Sequence, residues 1–109
     1  MRILLDACVP RGLRGRFPRH EVSTAHDLGW GSLDNGDLLD AMAGRFDVLV
    51  TVDKGLPKHQ HIVGRAFGII LLRARSNRLV DLQVLVPKFE AALERVRPGA
   101  VVDVERSEP

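Results

Sequence analysis

The sequence has 109 residues, a length that permits one domain and is too short for two. Hydrophobic residues make up 45% and charged residues 28%, a composition that permits a hydrophobic core. Its formal charge of +2 is a mild indication of an anionic partner. The single cysteine, Cys8, excludes an internal disulfide. No apolar stretch approaches the roughly 20 residues that span a bilayer, and no signal peptide is predicted at the start of the sequence. We therefore expect a cytoplasmic protein.

The first half of the chain alternates apolar runs with helix-like patterns. Leu13 and Phe17 are four residues apart and give a short helix one apolar face. Asp34 and Asn35 are both good N-caps for a second helix, which Gly44 can end. In chain order we predict a strand at 2–6, a helix at 10–17, a strand at 20–25, a helix from 34 or 35 to 44, and a strand at 47–53.

The second half opens with the connection KGLPKHQHIVGR, in which we predict no element, and continues into the apolar run AFGIILLR. From Leu82 to Val96 apolar residues recur at three- and four-residue spacings, which indicates a helical stripe. Pro87 should kink this helix or begin a second one, because proline lacks a backbone donor. We predict a strand at 66–73, helix at 79–96 and a strand at 100–105. The predicted domain spans residues 1–105, and residues 106–109 are predicted to be a disordered tail.

This alternation predicts an α/β fold of the three-layer, Rossmann-like kind, with a parallel sheet of about five strands and helices on both faces. The expected strand order is 2-1-3-4-5, and its reversal between strands one and three leaves a crevice at the carboxyl ends of the strands, where ligands bind. Asp6 ends strand one and Asp53 ends strand three. Both carboxylates are therefore expected at this crevice, and Asp37, in the first turn of the second helix, can lean toward it.

Acids gathered in this way repel one another, and a divalent cation removes that penalty. Mg²⁺ or Mn²⁺ is commonly held by one or two carboxylates together with water, and can activate water for attack on a phosphodiester. Two simpler interpretations stay open. Asp6 and Asp53 can cap the turns that follow their strands. Asp37 can be the first-turn acid of a helix that Asp34 caps.

Several motifs resemble, in their order and spacing, the small PIN-like domains, which are relatives of the PIN-domain ribonuclease toxins of bacterial toxin–antitoxin systems. The matching segments cover nearly the whole chain and are LLDACVP, HEV, DLGW, NGDLL, LVTVDKGLP, IILLR and the stretch from SNRL to VP. The resemblance implies a metal-dependent ribonuclease that uses Mg²⁺ or Mn²⁺. It also implies a possible cognate antitoxin protein as partner and allows a homodimer.

The family pattern places acids at the ends of strands one and three and early in the second helix. By position these acids map to Asp6, Asp53 and Asp37, which the resemblance implies are both catalytic and metal-binding, with Asp34 and Asp40 close to the third position. Relatives commonly carry Asp-Glu after strand one, whereas here Ala7 and Cys8 follow Asp6. This departure favours a second hypothesis, a PIN-like module that has lost catalysis but still binds RNA or a protein.

Basic residues lie near the predicted crevice and can bind an RNA backbone through its phosphates. With few aromatic residues and no tyrosine, sequence-specific base reading is not predicted. A phospho-acceptor receiver domain is a third hypothesis. It is weaker than the other two because a receiver requires a lysine at the end of strand five, and AVVDVER contains none. His59 and His61 are predicted to be loop surface, not a zinc site. The predicted nucleic-acid contacts are Arg11, Arg14, Lys54, Arg73 and Arg75.

Overall fold

The computed structural model describes residues 1–105, which form a parallel sheet of five strands in the order β2-β1-β3-β4-β5. The predicted fold class and strand order are both confirmed. The predicted tail, residues 106–109, lies outside the described residues. The strands are β1 (Arg2–Leu5), β2 (Glu21–Thr24), β3 (Val48–Thr51), β4 (Gly68–Arg73) and β5 (Val101–Glu105).

The helices differ from the prediction in two places. The first helical segment is a 3₁₀ helix, consistent with two glycines in its six residues, Gly12 and Gly15, which disfavour an α-helix. A short helix that was not predicted follows β3 and carries Pro57 in its first turn, where proline is well tolerated. No helix within residues 1–105 has the length and apolar character to cross a bilayer. The helices are the 3₁₀ helix (Arg11–Arg16), α1 (Asn35–Met42), α2 (Leu56–His59), α3 (Leu79–Gln83) and α4 (Val86–Arg95).

The long helical stripe is divided into α3 and α4, and Pro87 stands in the first turn of the second helix. This confirms the prediction that the proline begins a second helix, since its missing N–H is not needed in a first turn. The predicted cap of α1 is confirmed as well. Asp34 is the N-cap, and its carboxylate accepts a hydrogen bond from the backbone N–H of Asp37 at 2.8 Å.

Two cores cover the two faces of the sheet. In β1, Ile3 and Leu5 face one core, while Leu4 faces the other. The first core is closed by the 3₁₀ helix, α3 and α4, and there the rings of Phe17 and Phe89 lie 4.3 Å apart. The second core is closed mainly by α1 and α2. Because both faces are covered, the central strands are apolar except at their ends, as is typical of parallel sheets.

Gly68→Ala is expected to destabilise the fold by about 1–3 kcal/mol, because the core there has no room for a methyl group. A Cβ at Gly68 would lie 2.5 Å from Val96 Cγ2 and 2.7 Å from the carbonyl oxygen of Arg97. Gly15→Ala is the control, since no heavy atom lies within 4 Å of its Cβ position. Urea unfolding of both variants checks this, and equal stabilities would contradict it.

Asp47 stabilises the amino-terminal edge of the sheet. Its carboxylate accepts hydrogen bonds from the Arg2 backbone N–H at 2.8 Å and from the Arg2 guanidinium at 3.2 Å. These contacts, the backbone N–H first, hold the pKa of Asp47 below its ordinary value of 3.8. A carboxyl group whose pKa is lower in the folded protein than in the unfolded chain stabilises the fold at pH values above its unfolded-state pKa. This stabilisation is lost as the pH falls through the folded-state pKa.

The free energy of unfolding of the wild type is therefore expected to exceed that of Asp47→Asn at pH 7 by less than about 1 kcal/mol, because the pair is partly exposed. The difference is expected to shrink as the pH falls below about 4. Urea unfolding of both proteins from pH 7 to pH 3 measures it. A difference that stays constant over this range would contradict the assignment.

Candidate functional site

Asp6 lies at the carboxyl end of β1 and is 8% exposed. Its Oδ1 accepts a hydrogen bond from the backbone N–H of Ala7 at 2.8 Å. Its Oδ2 accepts one from the hydroxyl of Thr51 at 2.7 Å, and the Cys8 thiol is 3.6 Å away. The carboxylate is thus held in one orientation by groups from the loop after β1 and by the last residue of β3. The predicted turn-capping role of Asp6 is present in its bond to Ala7.

Thr51, the last residue of β3, joins the two predicted acids. Its side chain is fully buried, and while its hydroxyl donates to Asp6 it accepts a hydrogen bond from the backbone N–H of Asp53 at 3.1 Å. One hydroxyl therefore connects the loops that follow β1 and β3. The prediction from sequence did not include this residue. The available signal was a polar residue inside the apolar run VLVTV, because a buried hydroxyl requires a partner.

Asp53 lies two residues beyond β3 and is partly buried. Its Oδ1 accepts a hydrogen bond from the backbone N–H of Gly55 at 2.9 Å, which is the predicted turn cap. Its Oδ2 accepts one from the side-chain amide of Asn35 at 3.3 Å. Since Asn35 is the first residue of α1, the same carboxylate fixes the start of that helix next to the β3 loop. Asn35 was predicted as a cap and not as a site residue.

The third predicted acid does not join the other two. Asp37 is exposed, and its backbone N–H is bonded to the cap residue Asp34. Within residues 1–105, no group of three or more His, Cys, Asp or Glu side chains is arranged to hold a metal ion. Neither Asp34 nor Asp37 therefore completes a three-acid cluster with Asp6 and Asp53, and the capping interpretation accounts for both of them.

Cys8 is partly buried beside these acids, with its sulfur 3.5 Å from the hydroxyl of Thr51. Burial raises the pKa of the Cys8 thiol, and the negative charge of Asp6 raises it further. The thiol is therefore protonated at neutral pH and is a poor nucleophile. It acts as a small packing residue and a weak donor to the site.

The charges around the site are distributed unevenly. Arg11 and Arg14 both bind the carboxylate of Asp27, at 2.6 and 2.7 Å. The neighbouring Thr24 hydroxyl and then these two arginines hold the pKa of Asp27 below its ordinary value. Asp27, which the sequence prediction missed, follows β2 at the same edge of the sheet. Two of the five predicted nucleic-acid contacts are thus already paired with an acid.

The other three predicted nucleic-acid contacts differ in whether an acidic side chain lies beside them. Arg73 lies 3.4 Å from a carboxylate oxygen of Asp103 and 3.7 Å from one of Glu105, both on β5. Lys54 and Arg75 are exposed and form no ion pair within residues 1–105. Of the predicted set, these two are the cations available to a partner.

Asp6 and Asp53 fit a hard divalent cation. Each carboxylate oxygen offers about two acceptor positions, and the hydrogen bonds to Asp53 Oδ1 and Oδ2 use one position on each. Asp6 Oδ1 likewise accepts a single backbone N–H. Mg²⁺ and Mn²⁺ prefer oxygen ligands and commonly bind one or two carboxylates together with several waters. Both carboxylates therefore keep acceptor positions that the hydrogen bonds leave unused.

Comparisons with family models, with curated proteins and with solved structures find no significant match. The resemblance to PIN-like domains accordingly stays a prediction that rests on the sequence motifs, while the parallel α/β fold and its strand order are shown by the structure. The predicted RNA, antitoxin and homodimer partners also stay predictions.

Proposed function

We propose that the protein is a divalent-cation-dependent endoribonuclease of the PIN-like class, with Asp6 and Asp53 as the cation ligands. The observation that carries the proposal is the connection of both acids through Thr51 at the carboxyl ends of adjacent parallel strands. This is the edge at which open parallel sheets bind ligands. Thr51 bonds the Asp6 carboxylate and the Asp53 backbone, and a positive ion shared by the two acids would offset the repulsion between their negative charges.

Each residue has a distinct role in this proposal. When bound, Mg²⁺ or Mn²⁺ activates water and stabilises the charge that develops on the phosphodiester. Asp6 would be one ligand of the cation, with its carboxylate oriented by the Thr51 hydroxyl. Asp53 would be the other, with its carboxylate oriented by Asn35 and by the backbone N–H of Gly55. Such supporting hydrogen bonds orient metal ligands and typically affect metal affinity by 10–100-fold.

The second candidate is a module that binds RNA or a protein without cleaving a bond. Two observations favour it: Ala7 and Cys8 stand where relatives commonly carry another acid, and residues 1–105 contain no three-ligand cluster. The nuclease candidate is compatible with the toxin of a toxin–antitoxin pair, as the motif resemblance implies, and both candidates are compatible with a cytoplasmic protein and with a homodimer.

Cleavage of a labelled single-stranded RNA separates the two candidates. We expect cleavage by the wild type in Mg²⁺ or Mn²⁺, none in EDTA, and none by Asp6→Asn. Asp40→Asn is the matched control, since this exposed acid of α1 contacts Arg65 and lies outside the site. RNA that is bound but uncleaved under all conditions would refute the nuclease proposal and favour the binding module.

A further inference from the structure

The loop after β4, residues 75–78, lies against the loop that carries Asp6. The side-chain amide of Asn77 donates a hydrogen bond to the backbone carbonyl of Cys8 at 3.4 Å, across 69 positions of sequence. The carboxyl end of β4 is next to that of β3, since the two strands pair in parallel. The structure therefore places this loop beside the candidate cation site.

The same loop is held in place by its own hydrogen bonds. The hydroxyl of Ser76 donates to a carboxylate oxygen of Asp81 in α3 at 2.6 Å, and it accepts from the backbone N–H of Arg78 at 3.0 Å. Because Asp81 is in a helix that packs on the 3₁₀ helix, the loop is attached to the body of the domain. Because the loop is already ordered before a ligand binds, the entropic penalty of binding is lower.

The loop is rich in unpaired positive charge. Arg75 and Arg78 are exposed, and Lys54 is exposed on the adjacent loop after β3. Across the part of the chain that the structure describes, none of the three forms an ion pair. Arg11 and Arg14, in contrast, are both held by Asp27. Of the cations considered for the site, the ones left unpaired within residues 1–105, Lys54, Arg75 and Arg78, thus lie on the loops after β3 and β4.

We propose that Lys54, Arg75 and Arg78, together called the cationic rim, bind the phosphate backbone of the nucleic acid, and that Asp27 keeps Arg11 and Arg14 out of that contact. The choice of RNA as the nucleic acid rests on the proposed function. Arginine suits the role because its planar guanidinium binds phosphate oxygens in a bidentate manner, and lysine contributes a point charge.

Recognition at the cationic rim is independent of base sequence. All four phenylalanines are buried, and Trp30 is partly buried, with its ring packed edge-on against Phe46. Since stacking on exposed aromatic rings is the usual means by which proteins contact unpaired bases, phosphate contacts dominate here. Such contacts position a nucleic acid and make its binding strongly salt-dependent.

Fluorescence anisotropy tests the proposal, with a fluorescein-labelled single-stranded RNA titrated in EDTA at several salt concentrations so that cleavage does not interfere. We expect Arg75→Gln and Arg78→Gln each to weaken binding about 3- to 10-fold and to reduce the slope of log affinity against log salt by about one. Arg95→Gln is the control for loss of one charge, because Arg95 is the last residue of α4 and its neighbour Val96 packs against Gly68, at the amino end of β4 and away from the site. It is expected to bind as the wild type does.

Asp27→Asn provides a test in the other direction. Releasing Arg11 and Arg14 is expected to strengthen RNA binding several-fold and to steepen its salt dependence. A DNA strand of the same sequence is expected to show the same losses in the Arg75 and Arg78 variants, because the contact is to phosphate. The proposal is overturned if these two variants bind RNA as tightly as Arg95→Gln, or if the wild type binds neither RNA nor DNA.

The outcomes for the cationic rim and for catalysis are distinguishable. Rim variants that lose binding, in a protein that never cleaves RNA, would support the rim and refute the nuclease. Cation-dependent cleavage with unchanged binding by Arg75→Gln and Arg78→Gln would support the nuclease and refute the rim.

Discussion

Asp53→Asn is expected to lower RNA cleavage by about 100-fold or more, because it removes a charge that stabilises the bound cation and hence the transition state. It is also expected to abolish the rise in unfolding temperature that Mg²⁺ produces in the wild type, since a ligand stabilises only a native state that binds it. Without the cation, stability should hold or increase. The asparagine oxygen can still accept the N–H of Gly55, and one of two neighbouring acids has been neutralised.

Thermal unfolding of wild type and Asp53→Asn, each with and without Mg²⁺, measures these effects. Asp40→Asn serves as control and is expected to keep the full Mg²⁺-dependent rise, because its carboxylate contacts Arg65 away from the site. An equal rise in the wild type and in Asp53→Asn would show that Asp53 is a turn cap and not a cation ligand.

Thr51→Val is expected to destabilise the fold by about 2–4 kcal/mol. Valine fills the same space but removes the hydroxyl partner of two groups, Oδ2 of the buried Asp6 carboxylate and the backbone N–H of Asp53. Each unsatisfied buried group costs about 1–3 kcal/mol, and more when it is charged. Thr51→Ser keeps the hydroxyl and is expected to lose only the packing of one methyl group, about 1 kcal/mol.

Thr24→Val is the matched control for this prediction. Thr24 is also a buried threonine at the end of a strand, but its hydroxyl serves only the exposed residue Asp27, by accepting from its backbone N–H and by lowering the pKa of its carboxyl. Water can replace these contacts at an exposed residue, so the expected loss is about 1 kcal/mol. Urea unfolding at pH 7 compares the variants. Equal losses for Thr51→Val and Thr24→Val would mean that Thr51 does not hold the two acids.

Much of the fold could be predicted because local rules determine it. Apolar runs separated by helical patterns favour a parallel sheet. Asp34 is a strong N-cap, and Pro87 cannot lie within a continuous helix. The helix within KGLPKHQ was missed because four residues are too few to show a helical period. The 3₁₀ form of the first helix was missed because the spacing of Leu13 and Phe17 fits an α-helix equally well.

The site could be predicted only in part. The positions of Asp6 and Asp53 could be predicted because each follows an apolar run, which is a local feature, and the structure places them just beyond β1 and β3. Thr51 was missed because its role depends on the register of β1 against β3, in which Leu5 pairs with Val50. The ion pairs of Arg11 and Arg14 with Asp27 likewise depend on where the loop after β2 lies. Contacts between residues distant in sequence are set by tertiary packing, and no local pattern encodes them.

Calorimetric titration with Mg²⁺ and Mn²⁺ tests most directly whether Asp6 and Asp53 form a cation site. The wild type and Asp40→Asn are expected to show saturable binding at millimolar Mg²⁺, which is lost in Asp6→Asn and in Asp53→Asn because each lacks one of the two charged ligands. Absence of binding by the folded wild type, or binding by both site variants equal to that of the wild type, would contradict the assignment.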